Sequence, residues 1–146
     1  LPQYNGKALG VTGSSQGGAL SMVTAALDKR VTFYAAIHPA MCDHRAHLQK
    51  VAGGWPHYFY YFPTPTPQRI QTADYYDMVN FARRITVPGW FSWGYNDDVC
   101  PPTSTYAAYN SITAPKELHP YLETGHYWYQ EQYEQWSQWL WAQMGL

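Results

Sequence analysis

Charge is scarce in this chain of 146 residues: only 13% of positions are Asp, Glu, Lys or Arg, and they nearly cancel to a net −1. No basic excess exists to pair with a phosphate backbone or an anionic bilayer, so neither nucleic acid nor a membrane surface is an expected partner. Cysteine is almost as rare. Two residues, Cys42 and Cys100, make no disulfide framework and read as small buried hydrophobes. No apolar run approaches the roughly 18 residues that would cross a bilayer as a helix. No internal repeat, low-complexity tract or signal peptide is visible. The sequence opens on Leu1-Pro2 rather than Met and is expected to begin inside a longer protein, so compartment stays open between cytoplasmic and periplasmic or secreted. What the chain has in excess is aromatic rings, 18% of residues with 14 Tyr and 7 Trp, which suit a core, an interface or clefts that stack sugars.

The most informative stretch is Leu9-Gly10-Val11-Thr12-Gly13-Ser14-Ser15-Gln16-Gly17-Gly18-Ala19-Leu20. It reads as a short apolar strand, a sharp turn carrying one serine, and a helix of small residues: the G-x-S-x-G nucleophile elbow. A serine hydroxyl is thrust outward there only if the backbone bends sharply, and Gly13 and Gly17 stand where crowding is expected. Unpaired N–H groups at the helix start face the serine, which places the Gln16 amide to stabilise an oxyanion. The competing reading is a Gly-rich loop that binds a phosphate or only turns a corner.

In order, the chain gives a strand over 7–12, a helix from Gly17 to Leu27 and a buried strand Val31–Ile37, one right-handed βαβ unit. Residues 38–67 are irregular, with a polar amphipathic stretch from Asp43 to Val51, a break at Gly53-Gly54-Trp55-Pro56, and an aromatic cluster over 55–62. They are expected to form an excursion above the sheet within one domain spanning 1–146; Thr64-Pro65-Thr66-Pro67 is expected to be irregular. Helical character returns over 68–84. A third strand ends near Gly94, a helix runs from Thr103 to about Ile112, a strand covers Glu117–Leu122, and a helix Glu131–Met144 closes at Gly145. The alternation predicts an α/β fold with a mostly parallel sheet and flanking helices, its site in the loops after the strands.

A nucleophilic serine needs a base, and the base an acid to fix its tautomer. In this architecture they follow in the order Ser, acid, His. Asp97 falls just past the third strand and His126 just past the fourth, so Ser15, Asp97 and His126 share one edge of the sheet. Asp97 and His126 could each be an ordinary turn residue, and Asp98 competes with Asp97. His44 and His47, beside Asp43, mimic a metal site, but without a further ligand a solvated helix face is expected and no metal is assigned. His38, His57 and His119 show no partner. The aromatic cluster suits an acyl pocket, a sugar platform, burial against the sheet or a subunit contact.

The elbow Gly13-Ser14-Ser15-Gln16-Gly17-Gly18, the loop Asp97-Asp98-Val99-Cys100-Pro101-Pro102 with its sequel Tyr106-Ala107-Ala108-Tyr109-Asn110, and Gly125-His126 resemble the acetyl xylan esterase and cephalosporin C deacetylase family. These are α/β-hydrolases of carbohydrate esterase family seven. The likeness covers most of the chain, including Asp77 to Ile85, and its most specific part is the aspartate three residues before Cys-Pro-Pro. It implies Ser15 as nucleophile, Asp97 rather than Asp98 as acid, His126 as base, and the Gln16 N–H as one oxyanion donor. The second donor would lie upstream, in a part this C-terminal half lacks. The missing strands would leave the nucleophile strand at an unprotected edge, so the 146 residues alone are expected to fold poorly. The resemblance further implies deacetylation of xylo-oligosaccharides or similar small esters, no cofactor, and a homo-oligomer. A departure is Tyr127-Trp128-Tyr129-Gln130, bulkier than the acidic residue and glycines that often follow the family's histidine. Rivals are a serine peptidase or lipase on the same fold, and a non-catalytic carbohydrate-binding or assembly module.

Overall fold

The computed structural model describes residues 6–146. Four parallel strands lie in the order β1-β2-β3-β4: β1 Gly10–Ser14, β2 Phe33–Ile37, β3 Gly89–Gly94 and β4 Lys116–Tyr121. Chain order equals spatial order, so every crossover passes to the next strand and all four carboxyl ends lie along one edge. β2 and β3 are buried at every position, as parallel strands covered on both faces must be. β1 and β4 are the lateral strands of this sheet, and an edge position is where Pro120 of β4 is tolerated.

Alternation along β2 separates two cores. Tyr34 and Ala36 face a cluster with Met22 of α1 (Gln16–Leu27), Ala82 of α4 (Met78–Ala82) and Ala108 of α5 (Pro102–Ser111). Phe33, Ala35 and Ile37 face the other way, against Trp90 and Trp139 of α6 (Gln130–Met144). Small residues let α1 press close to the sheet: a Cβ on Gly18 would stand 2.9 Å from the Ile37 carbonyl. The helix α6 ends at Gly145 in the left-handed conformation, with φ 74°.

Between β2 and β3 the structure departs from the sequence expectation in several places. The stretch Asp43–Val51 forms a 3-10 segment, His44–Gln49, rather than an amphipathic helix. His44 is buried, not on a solvated face, because its N–H and that of Asp43 reach the Asp77 carboxylate at 2.7 and 3.0 Å. The Pro-rich stretch is not wholly irregular: Thr66 caps α3 (Pro67–Asp74), and Pro67 occupies its first turn, where a missing N–H costs nothing. The single helical region over 68–84 is two helices, because Asp77 ends the first path and caps α4 through Val79 N–H at 2.9 Å. The aromatic cluster divides: Phe59 of α2 (Tyr58–Tyr61) is buried, whereas Tyr60, Tyr61 and Phe62 are exposed.

Candidate active site

Strand β1 runs to Ser14 and α1 begins at Gln16, so Ser15 is the single residue of the turn between them. Its φ of 56° and ψ of −121° are strained for a residue with a side chain, and its N–H and C=O are tied down by Ile37 O at 2.8 Å and Ala40 N at 3.1 Å. The two glycines of the elbow are not equivalent. A Cβ on Gly13 would lie 2.4 Å from the Gly17 backbone, whereas one on Gly17 meets nothing within 4 Å. Close approach of strand and helix is therefore what Gly13 permits.

Ser15, His126 and one of the two candidate acids, Asp97, meet in space. His126 Nε2 lies 3.0 Å from Ser15 Oγ, and His126 Nδ1 lies 2.8 Å from Asp97 Oδ2. An ionised carboxylate only accepts, so Nδ1 carries the ring proton and Nε2 is free to accept from the serine hydroxyl. Asp97 is buried and Asp98 exposed, which separates two residues that spacing could not. The other Asp97 oxygen accepts from Val99 N–H at 2.9 Å and Cys100 N–H at 2.8 Å, an Asx turn that aims the carboxylate. Burial pushes the Asp97 carboxyl up, but the His38 ring, the Cys100 N–H and the His126 ring outweigh it and hold the group below its ordinary value. Burial, reinforced by the Asp97 charge, pushes the Cys100 thiol up to about 12, so it stays protonated beside Ser15 at neutral pH.

The histidine loop is braced from α6 and its approach. Trp128 Nε1 donates to Ser14 Oγ at 3.2 Å and Trp136 Nε1 to Thr12 Oγ1 at 2.9 Å, tying the segment after His126 to β1. The bulk after the histidine is thus a tether across the sheet edge. Buried Gln132 donates to Ser92 Oγ at 2.6 Å, which fixes the start of α6 over β3.

Gln16 is the first residue of α1, so its N–H has no carbonyl one turn back to bond. Beside it opens a cleft of about 570 Å³, lined by Met41, Trp55, Tyr58, Arg69 and Tyr76 among others. Two members of the aromatic cluster, Trp55 and Tyr58, thus face this cleft. Sequence reasoning missed His38. It stands directly after β2, and its Nδ1 is 3.4 Å from Asp97 Oδ2; the position at the strand end was the available signal. Among the described residues, His38, Asp97 and His126 are also the group with metal-ligand spacing, whereas His44 and His47 gain no third ligand.

A parallel sheet whose strand ends gather a strained serine, a histidine and a buried aspartate defines an α/β-hydrolase. A family model for acetyl xylan esterase (AXE1) matches residues 1–143, and the chain belongs to that family. It is 56% identical over 117 residues to an acetyl esterase, Axe7A, of Xylanibacter ruminicola, an alignment covering 80% of this chain and 27% of that protein. Its structure is similar to an acetyl xylan esterase from Paenibacillus sp. R4, with TM-score 0.83 and 29% identity over 96% of this chain and 46% of the other. The acetyl xylan esterase 1 of Thermoanaerobacterium sp. JW/SL YS485 gives TM-score 0.81 and 28% identity over 98% and 48%. The chain therefore spans about half the length of these solved relatives and about a quarter of the acetyl esterase.

Proposed function

We propose that the protein containing this chain is a serine esterase that removes acetyl groups from acetylated xylan fragments or similar small acetylated carbohydrates. The observation that carries this is the unbroken chain Ser15 Oγ, His126, Asp97, with links of 3.0 and 2.8 Å. Family membership supports the acetylated-carbohydrate substrate.

In this reading His126 Nε2 takes the Ser15 proton as Oγ attacks the ester carbonyl. Asp97 remains ionised and stabilises the imidazolium through Nδ1–H. The oxyanion rests on the Gln16 N–H, and the helix terminus behind it favours the negative charge. His126 then returns the proton to the departing sugar hydroxyl. Water, activated by the same ring, attacks the acetyl-enzyme and releases acetate. The sugar side of the substrate would lie in the cleft beside Gln16, which Trp55, Tyr58 and Tyr76 line.

The test is intact mass of the full-length protein after fluorophosphonate treatment, beside Ser15→Ala, followed by acetate release from acetylated xylo-oligosaccharides and from a peptide substrate. One adduct, absent in the variant, with acetate released and the peptide untouched, is the expected result. Well-folded protein that takes no adduct would overturn the catalytic reading; peptide cleavage without deacetylation would overturn the substrate.

A further inference from the structure

Each of the four strands delivers one reactive side chain to the same edge of the sheet: Ser15 after β1, His38 after β2, Asp97 after β3 and His126 after β4. Acyl transfer uses three of them. His38 is left over, and it is expensively placed. It is 1% exposed and held at φ 43°, its N–H donates to the Ser92 carbonyl at 2.8 Å, and neither ring nitrogen makes a well-formed hydrogen bond. Buried polar atoms in that condition ask for a reason.

Their surroundings supply one. His38 Nδ1 points at Asp97 Oδ2 from 3.4 Å, and His126 Nδ1 meets the same oxygen at 2.8 Å. The two imidazole rings stand 5.2 Å apart, centre to centre, and the three ligand atoms all lie within 4.8 Å of one another. A tetrahedral ion with bonds of about 2.0–2.2 Å keeps its ligand atoms about 3.3–3.6 Å apart. The His38–Asp97 edge of that triangle, 3.4 Å, already fits; completing it opens the 2.8 Å His126–Asp97 contact by about 0.5–0.8 Å and draws the histidine nitrogens, now within 4.8 Å, together by up to about 1.5 Å. Two imidazoles and one carboxylate suit zinc or copper rather than magnesium or calcium.

We infer that His38, Asp97 and His126 form a binding site for a divalent transition-metal ion, and that occupying it switches off Ser15. The ion takes the place of the proton on His126 Nδ1, and that single ring proton passes through solvent to Nε2, so the ring stays neutral and no net proton is released from it. On Nε2 it donates to Ser15 Oγ, which fixes the metal-binding tautomer. Nε2 can no longer accept from the serine, so the nucleophile loses its base. Solvent reaches the site past His126, whose side chain is 24% exposed, while those of His38 and Asp97 are closed off. The inhibition rests on the esterase reading above; the binding does not.

The test separates the two. Zinc chloride is titrated calorimetrically into the full-length protein in the Ser15→Ala background, then with His38→Asn, His126→Gln or His47→Gln added; His47 belongs to the other close histidine pair, with His57. One site per chain is expected, weakened roughly tenfold or more by His38→Asn and by His126→Gln, and unchanged by His47→Gln. Affinity should fall as pH falls, because protons compete for the same nitrogens. His126→Gln changes a partly exposed side chain, so it decides the matter even if His38→Asn fails to melt cooperatively. Affinity indifferent to His126→Gln, or lost with His47→Gln, overturns the site. Zinc inhibition of acetate release is then measured with the serine restored, in protein with and without His38→Asn. Binding without inhibition overturns the switch alone, and a protein that hydrolyses no ester leaves the titration to judge the site.

Discussion

At the residue scale the candidate site is a set of tautomers. Asp97→Asn keeps an oxygen for the Val99 and Cys100 amides but turns an NH2 toward His126 Nδ1. The ring must then accept at Nδ1 and carry its proton on Nε2, which cannot relieve Ser15. We expect kcat for acetate release to fall by about 10^4-fold with fold and KM little changed; a loss below tenfold would remove Asp97 from the role. Ser15 offers a second test at the same scale. Its φ of 56° is costly for any residue with a Cβ, so Ser15→Gly should be more stable than Ser15→Ala by about 1 kcal/mol, read from urea midpoints, although both are expected to lose acetate release. Ser15 and His126 were legible because each rule that finds them is local, a turn motif or a position just past a strand; that rule narrowed the acid only to Asp97 or Asp98, and the family resemblance favoured Asp97. His38 obeys the same positional rule but escaped, because its partners lie in two other loops and only three-dimensional closeness reveals them.

At the element scale, the strands and the long helices were readable from apolar runs and helix-end signals, with boundaries shifted by a few residues. The reading lost its grip where one buried carboxylate organises distant backbone. Asp77 caps α4 and binds the Asp43 and His44 amides, so it both splits the helical region and draws His44 inward. Nothing in the periodicity around Asp77 announces partners more than 30 positions away. Asp77→Ala should therefore cost about 3 kcal/mol, well beyond a simple helix cap, as three amides lose a charged acceptor; a loss under 1 kcal/mol would show that water replaces it. The elbow yields a ranking. Alanine at Gly13 drives a Cβ into the Gly17 backbone at 2.4 Å, alanine at Gly18 meets the Ile37 carbonyl at 2.9 Å, and alanine at Gly17 has room. Denaturation midpoints should drop most for Gly13→Ala, by the equivalent of about 3 kcal/mol, less for Gly18→Ala and least for Gly17→Ala. The reverse order would mean that backbone freedom rather than close approach selects these glycines.

At the scale of the whole molecule, Asp97 joins parts of the chain that the sheet alone only sets side by side. Its own loop follows β3, and the rings it faces follow β2 and β4. Burial opposes its charge, yet the His38 ring, the Cys100 amide and the His126 ring prevail, so its folded pKa lies below the unfolded value. A depressed carboxylate pKa contributes stability that is fully present above the unfolded value, about 3.9, and is lost as pH falls through the folded one. Neutral asparagine at the same place has no such dependence. Comparing urea unfolding of the wild type with Asp97→Asn from pH 5 to pH 3 cancels the groups that do not face Asp97 and stays below the range in which imidazoles ordinarily titrate. The difference in stability between the two should stay level down to about pH 4 and shift against the wild type only below it. A difference that already moves between pH 5 and pH 4 would mean that burial wins and the carboxyl is raised. Asp97 would then be protonated at mildly acidic pH, and His126 would lose the ionised partner that the esterase reading requires.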